Sequence, residues 1–456
     1  MSGAPQSRHR VVIIGGGFGG LFATQALRKA PVDVVLIDRT GHHVFQPLLY
    51  QVATGILSEG QVTRPLRAVL AGQANATVLL GEVDDIDLDQ QTVSSTAFDT
   101  TTVTPYDSLV VAAGAGYSYF GHDDFTPHAP SLKSVDDALE IRARIFAAFE
   151  RAEQAHDDEE RRRHLTFAVI GGGPTGIEMA GQIRDLARRS LHRNFASIDP
   201  GQARVVLFEA SPFLLPTYGR KLSLRTVAAL KGVGVDVRLG ARVLDVGPDA
   251  ITYEHHGQHH QLDASTKIWA AGVAAGSLTT TLAEQSGAHR NQAGQLELEP
   301  DCTMPGHPEV FVVGDLMSAP GVPGVAQLAI QSGRFAAHTI QRRLTGDDRP
   351  RTFAYRDKGS LATIARFRAI ARVGGHGFSG LPAWWFWLLV HLWTVMGFGR
   401  RLSVLLRWTF AFTANRRPER VSTQRQAQWP TPGRLEARAL HGARPEPASR
   451  PMEIAR

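Results

Sequence analysis

Cysteine is all but absent: the 456-residue chain has one, Cys302. A single thiol makes no internal disulfide, no Cys-x-x-Cys redox pair and no cysteine-based metal centre, and no metal site is expected. Charge is sparse, with 20% Asp, Glu, Lys and Arg and a formal net charge of +6. A diffuse excess of that size is no nucleic-acid footprint, which needs Lys and Arg gathered on one domain. The start, "MSGAPQSRHR", has no apolar run or cleavage signal ahead of the first strand-like stretch, so export is not expected. What the chain does have is 43% hydrophobic residues, enough for a sizeable core in two or three domains.

Residues 10–40 read as strand, Gly-rich turn, helix and strand: "RVVIIGGGFGG", "LFATQALRKA", "VDVVLIDR". The same grammar returns at 165–209 as "LTFAVIGGGPTG", "IEMAGQIRDLARRSLHRNF" and "ARVVLFEA". That separation far exceeds solenoid periods, so the unit is duplicated rather than repeated. The stretch 151–165, "RAEQAHDDEERRRHL", reads as an exposed helix or linker. The expected fold is α/β, with two Rossmann-like dinucleotide-binding domains and a C-terminal membrane-associating helical segment. Residues 1–120 with 296–350 form the first domain, 121–295 the second, 351–417 the anchoring region, and 418–456 a basic, disordered tail.

In the first unit Gly15, Gly17 and Gly20 satisfy GxGxxG between strand and helix, with Asp38 about 20 residues on at the end of the next strand. The first glycine permits the turn, the second lets backbone approach a pyrophosphate, and the third lets helix pack on strand. The helix N-terminus then faces the phosphates, and Asp38 accepts from ribose hydroxyls. Gly171, Gly173 and Gly176 repeat the pattern, ending in Glu209. An acid there favours a free 2′-hydroxyl and repels a 2′-phosphate, so NADH is preferred over NADPH. Two fingerprints imply two dinucleotides, most economically FAD in the first and NADH in the second. "YDSLVVAAGA" and "VFVVGDL", with Asp315 at a strand end, fit a flavin crossing and a ribityl-hydroxyl acceptor.

"GGGFGG", "HHVFQPLLYQVATGIL" (42–57), "GGGPTGIEMAGQI" (171–183), "KIWAAGV" (267–273), "VFVVGDL" and "AQLAIQSG" together make the chain resemble the two-dinucleotide-binding-domain flavoproteins, and among them the type II NADH:quinone oxidoreductases. "YRDKGSLATIARFRAIA" and the Trp-rich stretch after it resemble the membrane-anchoring C-terminus of the actinobacterial branch, carrying the likeness to about residue 417. Disulfide reductases and sulfide:quinone oxidoreductases of this fold need cysteines beside the flavin. The corresponding "HHVFQPLLYQVA" has none, so electrons leave directly to a small acceptor.

The resemblance implies a non-proton-pumping NADH:quinone oxidoreductase: hydride from NADH to one non-covalent FAD, then two electrons to menaquinone or ubiquinone. It places Gly15, Gly16, Gly17, Phe18, Gly19, Gly20, Asp38, Arg39, Gln46, Pro47, Val83, Ala113, Gly114, Asp315, Ala326 and Gln327 around FAD. It places Gly171, Gly173, Thr175, Gly176, Glu209, Ala271 and Gly272 around NADH. Glu178, two positions after the last glycine, falls near flavin and nicotinamide, where a shielded carboxylate has a raised pKa and relays protons. Gln327 holds cofactor and Gln331, one turn on, orients the quinone. His42 and His43 read as plain hydrogen-bonding residues, and Lys358 as a lysine that closes over the quinone tunnel or a solvated loop residue.

"LPAWWFWLLVHLWTVMGFG" (381–399) approaches spanning length, but crowded Trp, His391 and the following "GRR" favour a helix lying in the interface. "LSVLLRWTFAF" continues it with Arg407 inside, and the Arg excess beyond residue 400 adds attraction to anionic lipid. Peripheral attachment to the cytoplasmic face of the cell membrane is expected, with a homodimer plausible for the family and no nucleic-acid partner. The rival reading is a soluble NADH oxidase or ferredoxin reductase of the same fold, which would not need the Trp-rich block.

Overall fold

The computed structural model describes residues 8–319, 321–322 and 324–421. The basic tail lies outside the described residues from 422 onward. The runs of Val and Ile near residues 11 and 34 alternate with nothing polar, which suits strands buried on both faces of a parallel sheet. His9–Ile14 indeed pairs in parallel with Val32–Asp38 on one side and Ser108–Val111 on the other. Ala76–Leu80 extends the sheet beyond Val32–Asp38, and His307–Val312 pairs in parallel with Ser108–Val111. The chain after residue 300 therefore completes a sheet begun at residue 9.

A second parallel sheet orders Val235–Leu239, Arg204–Glu209, Thr166–Ile170 and Thr266–Trp269. Both sheets carry a three-stranded antiparallel meander between their third strand and the strand that returns beside the first: Glu82–Asp87, Thr92–Ala97 and Thr100–Pro105, then Ala241–Val246, Ala250–His255 and Gln258–Asp263. The duplication visible in the glycines is thus a duplication of topology. The charged stretch near 151–165 ends the helix Val135–Gln154 and forms Asp158–His164, which buries no residue and is N-capped by Asp157 accepting from the Glu160 N–H.

The C-terminal region differs from the all-helical expectation. Before its helices come three antiparallel strands, Ser360–Ala365, Arg368–Val373 and His376–Gly380, the last two joined at Gly374 and Gly375, both with positive φ. Small residues hid the strand pattern, because "SLATIA" alternates neither by size nor by polarity. Two helices follow, Leu381–Thr394 and Phe398–Thr413, separated where Gly397 takes φ +93°. Among the described residues no helix is long and apolar enough to cross a membrane.

The strand Ser360–Ala365 lands on the helix Pro174–Asp185 that opens the second fingerprint. A β-carbon on Gly181 would sit 1.8 Å from the Ile364 carbonyl oxygen, so only glycine permits the contact. One apolar core then runs from Phe45, Leu48 and Tyr50 through Ile177 and Ile183 to Ile364, Trp384, Trp387 and Trp408. Gly181→Ala is expected to destabilise the protein by about 1–3 kcal/mol through overpacking against backbone. The measurement is a lowered urea midpoint at unchanged slope. Gly60→Ala, where the added carbon meets open space, should leave the midpoint unchanged or raise it.

Candidate active site

The two fingerprints are superimposable in their hydrogen bonds. Gly15 N–H donates to the Ile37 carbonyl at 2.8 Å and Gly171 N–H to the Phe208 carbonyl at 2.8 Å. Asp38 accepts from Gly16 N–H at 2.7 Å, and Glu209 accepts from Gly172 N–H at 2.7 Å. The other carboxylate oxygen of each acid caps the following turn, at Thr40 and Gly41 for Asp38 and at Ser211 for Glu209. Each acid is thus oriented with lone pairs to spare for a ribose hydroxyl.

The glycines differ in what surrounds them. A β-carbon on Gly15 would lie 2.5 Å from the Ala112 carbonyl oxygen, and one on Gly171 2.7 Å from that of Ala270. On Gly20 and Gly176 it would lie 1.9 Å from the carbonyl oxygens of Gly15 and Gly171. Gly17 and Gly173, the N-caps of the helices Phe18–Ala26 and Pro174–Asp185, face open space. Open space beside an uncapped helix N-terminus is what a pyrophosphate requires, so both cradles fit a dinucleotide.

Around the first cradle, Phe18 and Phe45 pack edge-on to one another, and His43 lies edge-on to Phe18 with its Nδ1–H on the Gly16 carbonyl. Burial lowers the His43 pKa, so the ring is neutral; its Nε2 is buried without a partner among the described residues. His42 only bonds the Thr40 carbonyl. Gln46 and Pro47 sit in the turn Gln46–Leu48, with the Gln46 amide donating to the Lys133 carbonyl. Asp315 is half-buried at the end of its strand. Ala326 and Gln327 open the helix Ala326–Leu344, and Gln327 Oε1 is a second buried acceptor without a partner among the described residues. Orphaned polar atoms lining a cradle are costly unless a ligand meets them, so these residues fit a polar flavin. Ala113 and Gly114 follow the strand Ser108–Val111, whereas Val83 packs on the core behind the sheet and Arg39 points outward to Glu82 at 3.6 Å. In the second cradle Thr175 occupies the first helical turn, Ala271 follows the strand Thr266–Trp269, and Gly272, at φ +72°, lies against the Ser118 carbonyl.

Glu178 is buried where the second fingerprint helix meets the C-terminal sheet. Its Oε1 accepts from the Thr363 N–H at 3.1 Å and the Thr363 hydroxyl at 3.3 Å. Burial raises its pKa to about 8; the two Thr363 donors pull the other way and lose. Gln331 bonds the backbone of a distant segment. Its amide donates to the Arg356 carbonyl and accepts from the Arg356 N–H, both at 3.0 Å, because the irregular segment 351–359 must find partners for its backbone. Lys358 is exposed in that segment.

Three residues of this site escaped the sequence. Lys133 donates to the Ala115 carbonyl at 2.8 Å; burial lowers its pKa, opposed by nearby Asp315. No spacing marks it. Tyr50 and Thr363 lie inside motifs that were read, but nothing local indicates that a phenol at 50 and a hydroxyl at 363 meet at 2.9 Å. Cys302 is buried, its thiol pushed up to about 12 by burial, which leaves it unreactive.

Comparison with known proteins agrees with this geometry. The pyridine nucleotide-disulphide oxidoreductase family model matches residues 9–333. The Mycobacterium tuberculosis type II NADH:quinone oxidoreductase Ndh is 51% identical over 93% of this chain and 92% of its own, and NdhA from the same organism is 51% identical over 92% of each. The solved structure of NDH2 from Plasmodium falciparum in complex with NADH superimposes with a TM-score of 0.82 at 19% identity, covering 90% of this chain and 99% of that one. With the paired fingerprints, the acid behind each and no second cysteine, the chain belongs to the pyridine nucleotide-disulphide oxidoreductases and, within them, to the type II NADH:quinone oxidoreductases.

Proposed function

We propose that this chain oxidises NADH and reduces a membrane quinone without pumping protons, with FAD on the first fingerprint, NADH on the second, and Glu178 holding the proton that quinone reduction consumes. The observation that carries the reading is a carboxyl group buried at the junction of the NADH fingerprint and the C-terminal sheet, where removal from water raises its pKa. FAD bound at the first cradle supplies the two-electron relay between the two substrates. Asp38 and Glu209 would hold the ribose ends, the helix termini at Gly17 and Gly173 would stabilise the pyrophosphates, and the first turn at Ala326 and Gln327 would offer backbone N–H groups to the reduced flavin. Gln331 ties the segment 351–359 to the helix Ala326–Leu344. The inert thiol of Cys302 argues against disulfide or sulfide chemistry.

Attachment to a lipid surface rests on the last two helices. On Leu381–Thr394 the outward residues are Leu381, Trp385, Leu389 and Trp393, spaced by one turn, while Trp384, Trp387, Leu388 and His391 face inward. On Phe398–Thr413, Phe398, Leu402, Leu406 and Phe410 face out, and Val404, Trp408 and Phe412 face in. Such stripes of large apolar side chains suit burial at headgroup depth. Arg401 stacks on Trp393 at 5.4 Å, placing a cation at that boundary. His391, its pKa lowered to about 4 by burial, is neutral and donates to the Trp387 carbonyl. A soluble oxidase or ferredoxin reductase has no use for this face, which presents the acceptor side of the enzyme to quinone dissolved in the bilayer.

Two experiments test the reading. Glu178→Gln should retain FAD and NADH-driven flavin bleaching while quinone turnover falls by about 10²-fold or more. Because the carboxyl is protonated below its raised pKa, wild-type quinone turnover should decline as pH rises through about 8, and that limb should vanish in the variant. Equal quinone rates in variant and wild type would remove Glu178 from the chemistry. Separately, Trp385→Glu with Trp393→Glu should abolish flotation with anionic vesicles yet spare NADH oxidation by ferricyanide; undiminished flotation refutes the docking face.

A further inference from the structure

A line of buried hydrogen bonds joins the inner face of the last helix to Glu178. Trp408 Nε1–H donates to Gln51 Oε1 at 2.6 Å, and Gln51 Nε2 donates to the Tyr50 hydroxyl at 3.1 Å. Tyr50 lies 2.9 Å from Thr363 Oγ1, which is 3.3 Å from Glu178 Oε1. Trp408, Gln51, Tyr50 and Thr363 are all at most 3% exposed. The Trp387 ring packs on Trp408 at 5.2 Å and holds it in place.

The donor inventory orients this line. An indole N–H only donates, so the Gln51 carbonyl oxygen must face it and the Gln51 NH2 must face Tyr50. The Tyr50 oxygen then accepts, and its one hydrogen goes to Thr363. With its lone pairs so engaged, the Thr363 hydroxyl sends its own hydrogen to Glu178. Every donor points toward the carboxyl group. The same inventory rules out a proton wire, since an indole and a primary amide at the far end do not exchange protons along the line at neutral pH.

We propose that Trp408 is a positioning residue for Glu178: its indole N–H fixes the Gln51 amide, and through Tyr50 keeps the Thr363 hydroxyl directed at the carboxyl group. Without the indole donor the Gln51 amide is free to turn over. Tyr50 then donates to Gln51 Oε1, Thr363 donates to Tyr50, and Glu178 keeps only the Thr363 N–H. A lost donor disfavours the carboxylate, so the proton is held more tightly. The other titratable or charged groups packed around this point are Tyr218, from the turn Pro216–Tyr218, and Arg417 with Asp185 beyond Tyr50. Burial keeps both phenols neutral, so neither competes for the proton. Trp408 belongs to the helix whose outer face carries Leu402, Leu406 and Phe410, so the seating of the proposed docking helix reaches the proton-holding group.

This inference rests on the reading of Glu178 given above, and the test separates the two. In the FAD-loaded enzyme, the protonated Glu178 carbonyl stretch, identified by its loss in Glu178→Gln, is titrated by difference infrared spectroscopy. Trp408→Phe and Thr363→Val should each raise the midpoint by about threefold or more in proton affinity, roughly half a pH unit. The double variant should move it no further than Thr363→Val alone, because both act through one hydroxyl. The alkaline limb of quinone turnover should shift in parallel. If Trp408→Phe does not retain FAD, Gln51→Leu breaks the same line and carries the same expectation. A midpoint unmoved by the variant, or shifts that add in the double variant, overturns the proposal. If instead the infrared midpoints behave as stated while Glu178→Gln leaves quinone turnover intact, the positioning stands and the proton-holding role falls.

Discussion

The Ile364 carbonyl oxygen occupies the volume that a side chain at residue 181 would need, and the surroundings of Glu178 depend on that contact. It sets the C-terminal sheet against the NADH fingerprint helix closely enough for Thr363 to reach Glu178. It also closes the carboxyl group off from water. Two consequences then oppose each other: removal from water favours the protonated form, and two donors favour the carboxylate. Desolvation is the larger, so the group holds its proton at neutral pH. A site assembled a few ångströms looser would hydrate Glu178 and return it to ordinary carboxylate behaviour.

Closeness of that kind needs an anchor, and Arg417 is one. Its guanidinium donates to the Thr54 carbonyl at 2.9 Å, the Gln182 carbonyl and Oε1 at 3.2 and 2.9 Å, and Asp185 at 3.0 Å. Three separate stretches of chain meet there: the segment after Gln46, the fingerprint helix and the end of the described C-terminus. The side chain is 2% exposed, so its desolvation is offset only with every partner in place. Exposed pairs such as Arg8 with Asp33 and Arg39 with Glu82, more than half open to solvent, contribute at most about 1 kcal/mol each. The charge that organises the fold is thus the one placed where water cannot screen it.

How much of this was legible depended on the range of the contact. The fingerprints were readable because glycine spacing, strand end and acid all fall within one local unit, and the bonds of Asp38 and Glu209 follow from that unit alone. Glu178 was readable from its place after the third glycine. Its partner was not, since Thr363 is 185 positions away on a short strand, "SLATIA", with no period-two alternation to mark it. Gln331 shows a different limit. Its spacing from Gln327 suggested a shared face, but spacing says nothing of the irregular backbone at Arg356 that claims both ends of its amide. Lys133 and the Trp408 line likewise exist only once distant segments are packed.

The duplicated fold supplies its own comparison for the surroundings of Glu178. Two positions after its third glycine the first fingerprint has Phe22, packed beneath the Arg334 guanidinium at 4.8 Å, where the second has Glu178. The helix Phe18–Ala26 is covered by another helix, Ala326–Leu344, with Gly333 pressed on the Gly19 carbonyl. A helix satisfies its own backbone along its length and offers a neighbouring acid nothing from its flank. Pro174–Asp185 is covered instead by Ser360–Ala365, the edge strand of its sheet, and an edge strand carries unpaired N–H groups. There the Thr363 N–H reaches the buried Glu178, a main-chain donor that the helix covering Phe22 does not offer from its flank.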